Sequence, residues 1–161
     1  MDRGQAERLM PLLEELLTGA DRDWSQIDRI GVCVGPGNFT GIRISVSAAR
    51  GLSLGLGIPA VGVSLFETTQ SLGNQAQTCV PAPRGKVYWF DPETQTAPVL
   101  SDTLPERPFA ISTDHSPSDH VAEIARIAAG RLVSADQRPA PLYIRPADAA
   151  PPKQQPPLIH R

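Results

Sequence analysis

The run Gly35-Pro36-Gly37-Asn38-Phe39-Thr40-Gly41 restricts this chain's fold more than any other feature. It joins a short apolar segment, 29–34, to small and apolar residues at helical spacing that continue to about Leu56. A buried strand that enters a glycine-rich turn and leaves as a helix is the first half of a β-α-β unit. Residues 58–63 supply the second strand, and the intervening helix requires the two to pair in parallel. Gly35, Gly37 and Gly41 permit positive φ in a tight turn, and equally permit an anion to approach the N–H groups of a helix N-terminus. No Walker lysine follows and the spacing is not G-x-G-x-x-G, so the turn reads as structural first and as a phosphate loop second.

The helix after the turn has an unusual surface. Gly41, Ser45, Ala48 and Leu52 form one face with Gly55 a turn further on, while Ser47, Gly51 and Gly55 recur every four residues. Glycine inside a helix costs about 1 kcal/mol relative to alanine, so these positions need a packing reason. Either the face lies on the chain's own sheet, or it packs closely on a helix of another subunit; the second reading is favoured. A helix over 5–18 carries Leu9, Leu12, Leu13 and Leu16 on one stripe, widened by Met10 and Leu17, with Gly19 expected as its C-cap. That stripe is wider than one core contact needs.

Proline and glycine divide the chain near residues 73–78. Of 17 prolines only Pro11, Pro36 and Pro59 precede residue 80, and of 13 glycines only Gly85 and Gly130 follow it. Three regions are expected: a first α/β lobe over 1–75, a reduced second lobe over 76–145 and a proline-rich tail over 146–161. Within them the pattern predicts a helix over 65–72 capped by Ser64 and Glu67, and an aromatic strand over 86–90. It also predicts a helix over 119–129 with Val121, Ile124, Ala125 and Ala128 inward, and a short strand at 142–144. Trp24 and Phe39 are expected to anchor core or turn packing.

Chemistry is sparse. A net charge of -2 is too weak, and of the wrong sign, to hold a phosphate backbone, so binding to tRNA by this chain alone is not expected. No apolar stretch is long enough to span a membrane, and the first residues lack a signal peptide's pattern, which points to the cytoplasm. Cys33 reads as a small core residue, Cys79 has no such context, and two thiols make no disulfide framework. The pairs Asp114-His115 and Asp119-His120 read as a solvated loop, without the third ligand cluster that a metal site needs. No catalytic residue and no metal ligand is assigned.

The motif and its surroundings resemble a known family. Residues 35–43, ending Gly41-Ile42-Arg43, resemble the G-P-G-S-F-T-G-[VI]-R signature of the TsaB (YeaZ) family, accessory subunits for N6-threonylcarbamoyladenosine formation in tRNA. The likeness continues through Ala49-Arg50-Gly51-Leu52-Ser53-Leu54-Gly55 and through Pro59-Ala60-Val61-Gly62-Val63-Ser64. It extends to the start of the first helix, to Gly85-Lys86-Val87-Tyr88-Trp89 and to Pro141-Leu142-Tyr143-Ile144-Arg145. It is dense over 3–70 and patchy afterwards.

This resemblance implies an α/β fold of the actin/Hsp70/sugar-kinase (ASKHA) type, an RNase H-like lobe with a reduced second lobe. It implies a non-catalytic scaffold that binds TsaD, with TsaE in the complex, and supports threonylcarbamoyl transfer to the adenosine next to the anticodon. tRNA would be met only through the complex, and ATP used by the complex without a cofactor bound by this chain alone. The first two helices would form the bundle of a homodimer or of the TsaB–TsaD pair, making Leu9, Leu13, Leu16, Ser45, Ala48, Gly51, Leu52 and Gly55 the partner interface. Gly35, Pro36, Gly37, Phe39, Thr40, Gly41 and Arg43 would form the motif turn.

Three departures accompany the likeness. The family opens with a β-hairpin that would precede residue 1, and Pro81-Ala82-Pro83-Arg84-Gly85-Lys86 stands where D-A-R-x-G-E is usual; the second lobe is also short. Without the hairpin, one edge of strand 30–34 and part of the leucine stripe are expected to be uncovered, and the chain to dimerise, aggregate or require its partner. The alternative is a small ATP-dependent phosphotransferase of the same superfold with 35–41 as its phosphate loop. Asp28 is the nearest acid, but it precedes the strand.

Overall fold

The computed structural model describes residues 4–106, 108–133 and 137–144. In chain order the main elements are α1 (Gln5–Gly19), β1 (Ile30–Cys33), α2 (Phe39–Leu56), β2 (Ala60–Val63) and α3 (Leu65–Gly73). They are followed by β3 (Thr78–Pro81), β4 (Val87–Phe90), β5 (Val99–Ser101), β6 (Ala110–Ile111) and α4 (Pro117–Gly130).

β1 and β2 pair in parallel, from Ile30 opposite Ala60 to Cys33 opposite Val63, as the helical connection requires. Alternation along the strands sends their side chains to two faces, and each face is covered by a helix. On one side Val46 and Ala49 of α2 pack with Val32 and Ala60; on the other, Ile124 and Ala128 of α4 pack with Val61 and Val63. Gly31 makes the second contact possible. A β-carbon there would lie 2.9 Å from Ile124 Cγ2, 3.0 Å from Ala128 Cβ and 3.1 Å from the Ile124 carbonyl oxygen.

Polar ties fix α4 in that place. Arg29 donates to the Ala128 carbonyl at 2.8 Å, so a cation meets the helix C-terminus where free carbonyls gather. Arg131 donates to the Gly62 carbonyl at 2.8 Å and pairs with Glu67. Glu67 also accepts from the Ser64 N–H at 2.7 Å, completing the capping box of α3. One carboxylate thus starts α3 and anchors the end of α4.

The remaining strands form a second sheet in the order β5-β4-β3-β6, with β3–β4 an antiparallel hairpin and β6 parallel to β3. Its turn is Pro81–Lys86, closed by the Ala82 N–H on the Lys86 carbonyl at 2.8 Å, with Lys86 pairing Asp102. α3 covers this sheet: Phe66 meets Phe90 at 5.9 Å between ring centroids, and Cys79 on the central β3 is fully buried. Burial pushes the Cys79 thiol up to about 11, consistent with an inert core position and correcting the expectation that it lacked a core context.

Other expectations from sequence are corrected here. Gly19 is not a left-handed cap: α1 ends on Ala20 at φ -93°, and Asp21 takes the left-handed conformation. Residues 142–144 form no strand, since only one ladder-like bond forms, from the Leu142 N–H to the Val34 carbonyl at 2.7 Å. In α4, Val121 and Ala125 are exposed, whereas His120, Glu123, Ile124 and Ala128 are buried. Asp119 and His120 lie in that helix rather than in a solvated loop. His120 Nε2 is 2.9 Å from the Ser112 carbonyl, which can only accept, so Nε2 carries the hydrogen; Nδ1 lies 2.8 Å from the Thr68 hydroxyl.

Gly31→Val forces a branched side chain against α4 and is expected to lower unfolding free energy by about 2 kcal/mol or more in urea titration. Gly55→Val, where a β-carbon meets nothing within 4 Å, is the control and stays within about 0.5 kcal/mol of wild type.

Acid sensitivity follows from two carboxyls. Burial works to raise Glu67, yet the Ser64 N–H and Arg131 outweigh it and hold the group below its ordinary 4.5. Hydrogen bonding to Arg126, then to the Ser71 hydroxyl, holds Glu123 down to about 2. Groups lowered in the folded state contribute stability that is complete above their unfolded value and is lost as pH falls through the folded one. The thermal midpoint should therefore fall between pH 4.5 and 2, with a shallower fall in the Glu67→Gln/Glu123→Gln double variant.

Candidate functional site

The motif turn leaves β1 through Val34 and begins α2 at Phe39. Gly35 adopts φ +107°, which a side chain would strain, and a β-carbon there would lie 2.8 Å from Ile42 Cδ1. The Gly35–Pro36 bond is cis, and both residues are buried. Asn38 caps α2, its Oδ1 accepting from the Gly41 N–H at 2.9 Å, while the Gly35 carbonyl accepts from the Leu65 N–H at 2.8 Å. The motif's own side chain thus occupies one of the N–H groups on which a phosphate would rely. Gly37 and Gly41 are not in the left-handed region, so of the three glycines only Gly35 needs positive φ.

Arg43, one turn into α2, clasps the motif to the end of the described chain. Its guanidinium carbon stands 3.8 Å from the Phe39 ring centroid and 5.7 Å from that of Tyr143, and Nε donates to the Tyr143 hydroxyl at 2.8 Å. The Phe39 and Tyr143 rings are 5.2 Å apart. Thr40 is exposed beside this clasp. The pairing of Arg43 with Tyr143 was not visible as a contact in sequence, since the two lie a hundred positions apart.

The small-residue face of α2 is not the face that meets the sheet; Val46 and Ala49 do that. Ser45, Ala48 and Leu52 are half-buried, while Gly51 and Gly55 are exposed, with nothing within 4 Å of a β-carbon at either. α1 lies next to α2 and has no buried residue: Leu9 and Leu13 are half-buried and Leu16 is 60% exposed. Leu54, on the outer surface of α2, is 83% exposed. Two adjacent helices therefore present leucine and glycine to the outside.

Other chemistry is thin among the described residues. No group of three or more His, Cys, Asp or Glu side chains there is placed to hold a metal ion. Cys33 and Cys79 are unpaired, and burial raises the Cys33 thiol. Asp28 is exposed and precedes β1. No helix there is long and apolar enough to cross a membrane.

Comparison with known proteins places this arrangement in a family. Residues 1–104 match the family model for TsaD, tRNA N6-adenosine threonylcarbamoyltransferase. The chain is 31% identical over 95 residues to the tRNA threonylcarbamoyladenosine biosynthesis protein TsaB of Escherichia coli K12, covering 55% of this chain and 41% of that protein. It is 34% identical over 92 residues to TsaB of Bacillus subtilis 168, covering 55% and 40%. The chain belongs to this family, as a TsaB (YeaZ) member. It spans about two fifths of the length of these curated TsaB relatives. A longer match, 30% identical over 92% of this chain and 79% of the relative, is to the uncharacterized protein Rv3421c of Mycobacterium tuberculosis H37Rv.

The solved structure of YeaZ from Pseudomonas aeruginosa superposes with a TM-score of 0.63 at 23% identity, covering 88% of this chain and 84% of that one. A second, titled an uncharacterized protein with similarity to peptidase YEAZ from Pseudomonas aeruginosa, gives 0.64 at 21% identity, covering 90% and 86%. The fold is the α/β ASKHA type shared by TsaB (YeaZ) proteins.

Tyr143→Phe removes only the hydroxyl that Arg43 uses, and is expected to lower unfolding free energy by about 0.5–1.5 kcal/mol. Arg43→Met removes the cation over both rings as well and should exceed it, by about 0.5–1 kcal/mol. Chemical denaturation of both variants and of their combination measures the coupling; strictly additive effects would show that the clasp carries no energy.

Proposed function

We propose that this chain acts in tRNA threonylcarbamoyladenosine biosynthesis as a non-catalytic scaffold that docks on TsaD through the outer faces of α1 and α2. In this reading the catalytic partner, with TsaE completing the complex, transfers the threonylcarbamoyl group to the adenosine next to the anticodon. The present chain positions that partner. It binds no cofactor alone, ATP being used by the assembled complex, and it meets tRNA only there, in the cytoplasm. A homodimer would use the same face.

One observation carries the proposal. Gly51 and Gly55 open onto empty space on α2, next to an α1 whose leucine stripe is nowhere fully buried. Small residues on an exposed helix face let a second helix backbone approach closely, and exposed leucines beside them supply the apolar area that association removes from water. The names of the curated relatives supply the pathway. The motif turn supports a structural role, because Asn38 and Leu65 already occupy its nearest polar groups.

Gly51→Leu and Gly55→Leu test this directly. A β-carbon at either position meets nothing within 4 Å, and leucine favours a helix over glycine, so both variants should fold at least as well as wild type. Association with TsaD, followed by calorimetry or sedimentation, should weaken by about tenfold or more as the bulky side chain separates the helices. Wild-type affinity in both folded variants would refute the interface. Purified chain given tRNA, ATP, threonine and bicarbonate should form no threonylcarbamoyladenosine until TsaD and the rest of the complex are added; turnover by the chain alone would refute the scaffold reading.

A further inference from the structure

A cavity of about 640 Å³ opens where α2 ends and the chain turns into β2. It lies at the end of the parallel sheet opposite the motif turn, since that turn follows the C-terminus of β1 whereas residues 57–60 lead into the N-terminus of β2. Its volume is that of a small-molecule site, for which roughly 300–1,000 Å³ is usual. The apolar part of the wall comes from Ile58, Pro59, Val133 and Pro139. Gly51 and Gly57 keep two sides open, because a β-carbon at either would meet nothing within 4 Å.

Among the described residues the charged part of the wall is of one sign. Arg50 and Arg138 both line the cavity, and among the described residues neither makes an ion pair or a hydrogen bond. Among the described residues no carboxylate lines it. The polar groups nearest the helix end are committed to each other: the Ile58 N–H donates to the Ser53 carbonyl at 3.2 Å, and the Ser53 hydroxyl donates to the Ile58 carbonyl at 2.6 Å. Two guanidinium forks on an apolar bowl suit planar, bidentate recognition of an oxyanion attached to an apolar body.

We infer that this cavity binds a small amphipathic anion, an apolar body of about ring size bearing one carboxylate or phosphate head, with Arg50 and Arg138 holding the head and the Ile58–Pro59 wall holding the body. The cavity shares Gly51 and Leu54 with the outer face of α2, whereas Arg50, Arg138 and the Ile58–Pro59 wall lie apart from the leucine stripe of α1 and from the motif turn, so anion binding is read on the chain without TsaD.

Titration calorimetry on the full chain at low ionic strength tests it, with phenyl phosphate and benzoate as probes of the two heads and inorganic phosphate as the head without a body. At least one aromatic anion should bind with one-to-one stoichiometry and about tenfold or more tighter than inorganic phosphate. Arg50→Gln and Arg138→Gln should each weaken that binding by about tenfold or more, with unchanged thermal midpoints. Arg84→Gln, on the distant β3–β4 turn, should leave it unchanged. If a glutamine variant melts early, Arg50→Lys decides instead: it keeps the charge but loses the fork, and it should bind less tightly than wild type. Equal affinity for phenyl phosphate, benzoate and inorganic phosphate would overturn the inference. So would wild-type affinity in both glutamine variants, or an equal loss in Arg84→Gln.

Discussion

The contact of α4 with the bare backbone at Gly31 is what the rest of the structure depends on. A two-stranded parallel sheet is marginal alone, because both faces need cover and parallel pairing has no hairpin to close it. α2 covers one face through its own connection. α4 comes from far along the chain to cover the other, and it can reach van der Waals contact only because β1 offers no β-carbon where Ile124 and Ala128 arrive. Arg29 and Arg131 then hold the helix end, the second through the same Glu67 that caps α3.

That packing decides what is left for partners. With Val46 and Ala49 committed to the sheet, the glycine and serine face of α2 has no internal use, and α1 covers it only in part. The motif turn is likewise consumed internally. Gly35 bends the chain, Asn38 caps the helix, and Arg43 lies over Phe39 and bonds the Tyr143 hydroxyl. A glycine-rich turn of this kind is better explained by the geometry it makes than by a ligand it would hold.

Much of this was legible in the sequence where the signal is local. The strand–turn–helix–strand unit, the Ser64–Glu67 capping box and the aromatic strand each follow from neighbouring residues, and each stands in the structure. The inner face of α4 was not legible from hydropathy. His120 and Glu123 are polar, yet Thr68, Ser112 and Arg126 satisfy them, so they turn inward while Val121 faces out. Gly31 looked ordinary for the same reason: the side chains that need its bareness belong to a helix ninety residues later. Tyr143 belongs to the motif's surroundings in space alone, through the Arg43 bond.

In the proposed docking the outer surfaces of α1 and α2 receive the partner, while α4 and its sheet stay an internal support. Amide hydrogen exchange of the chain, free and with saturating TsaD, distinguishes the two surfaces. Exchange should slow in Gln5–Gly19 and Phe39–Leu56, which pack loosely on each other in the free chain, and remain unchanged in Pro117–Gly130, where the amides are already held. Protection that appears on the β4–β5 side or along α4, with α1 and α2 exchanging as they do in the free chain, would rule out docking through α1 and α2.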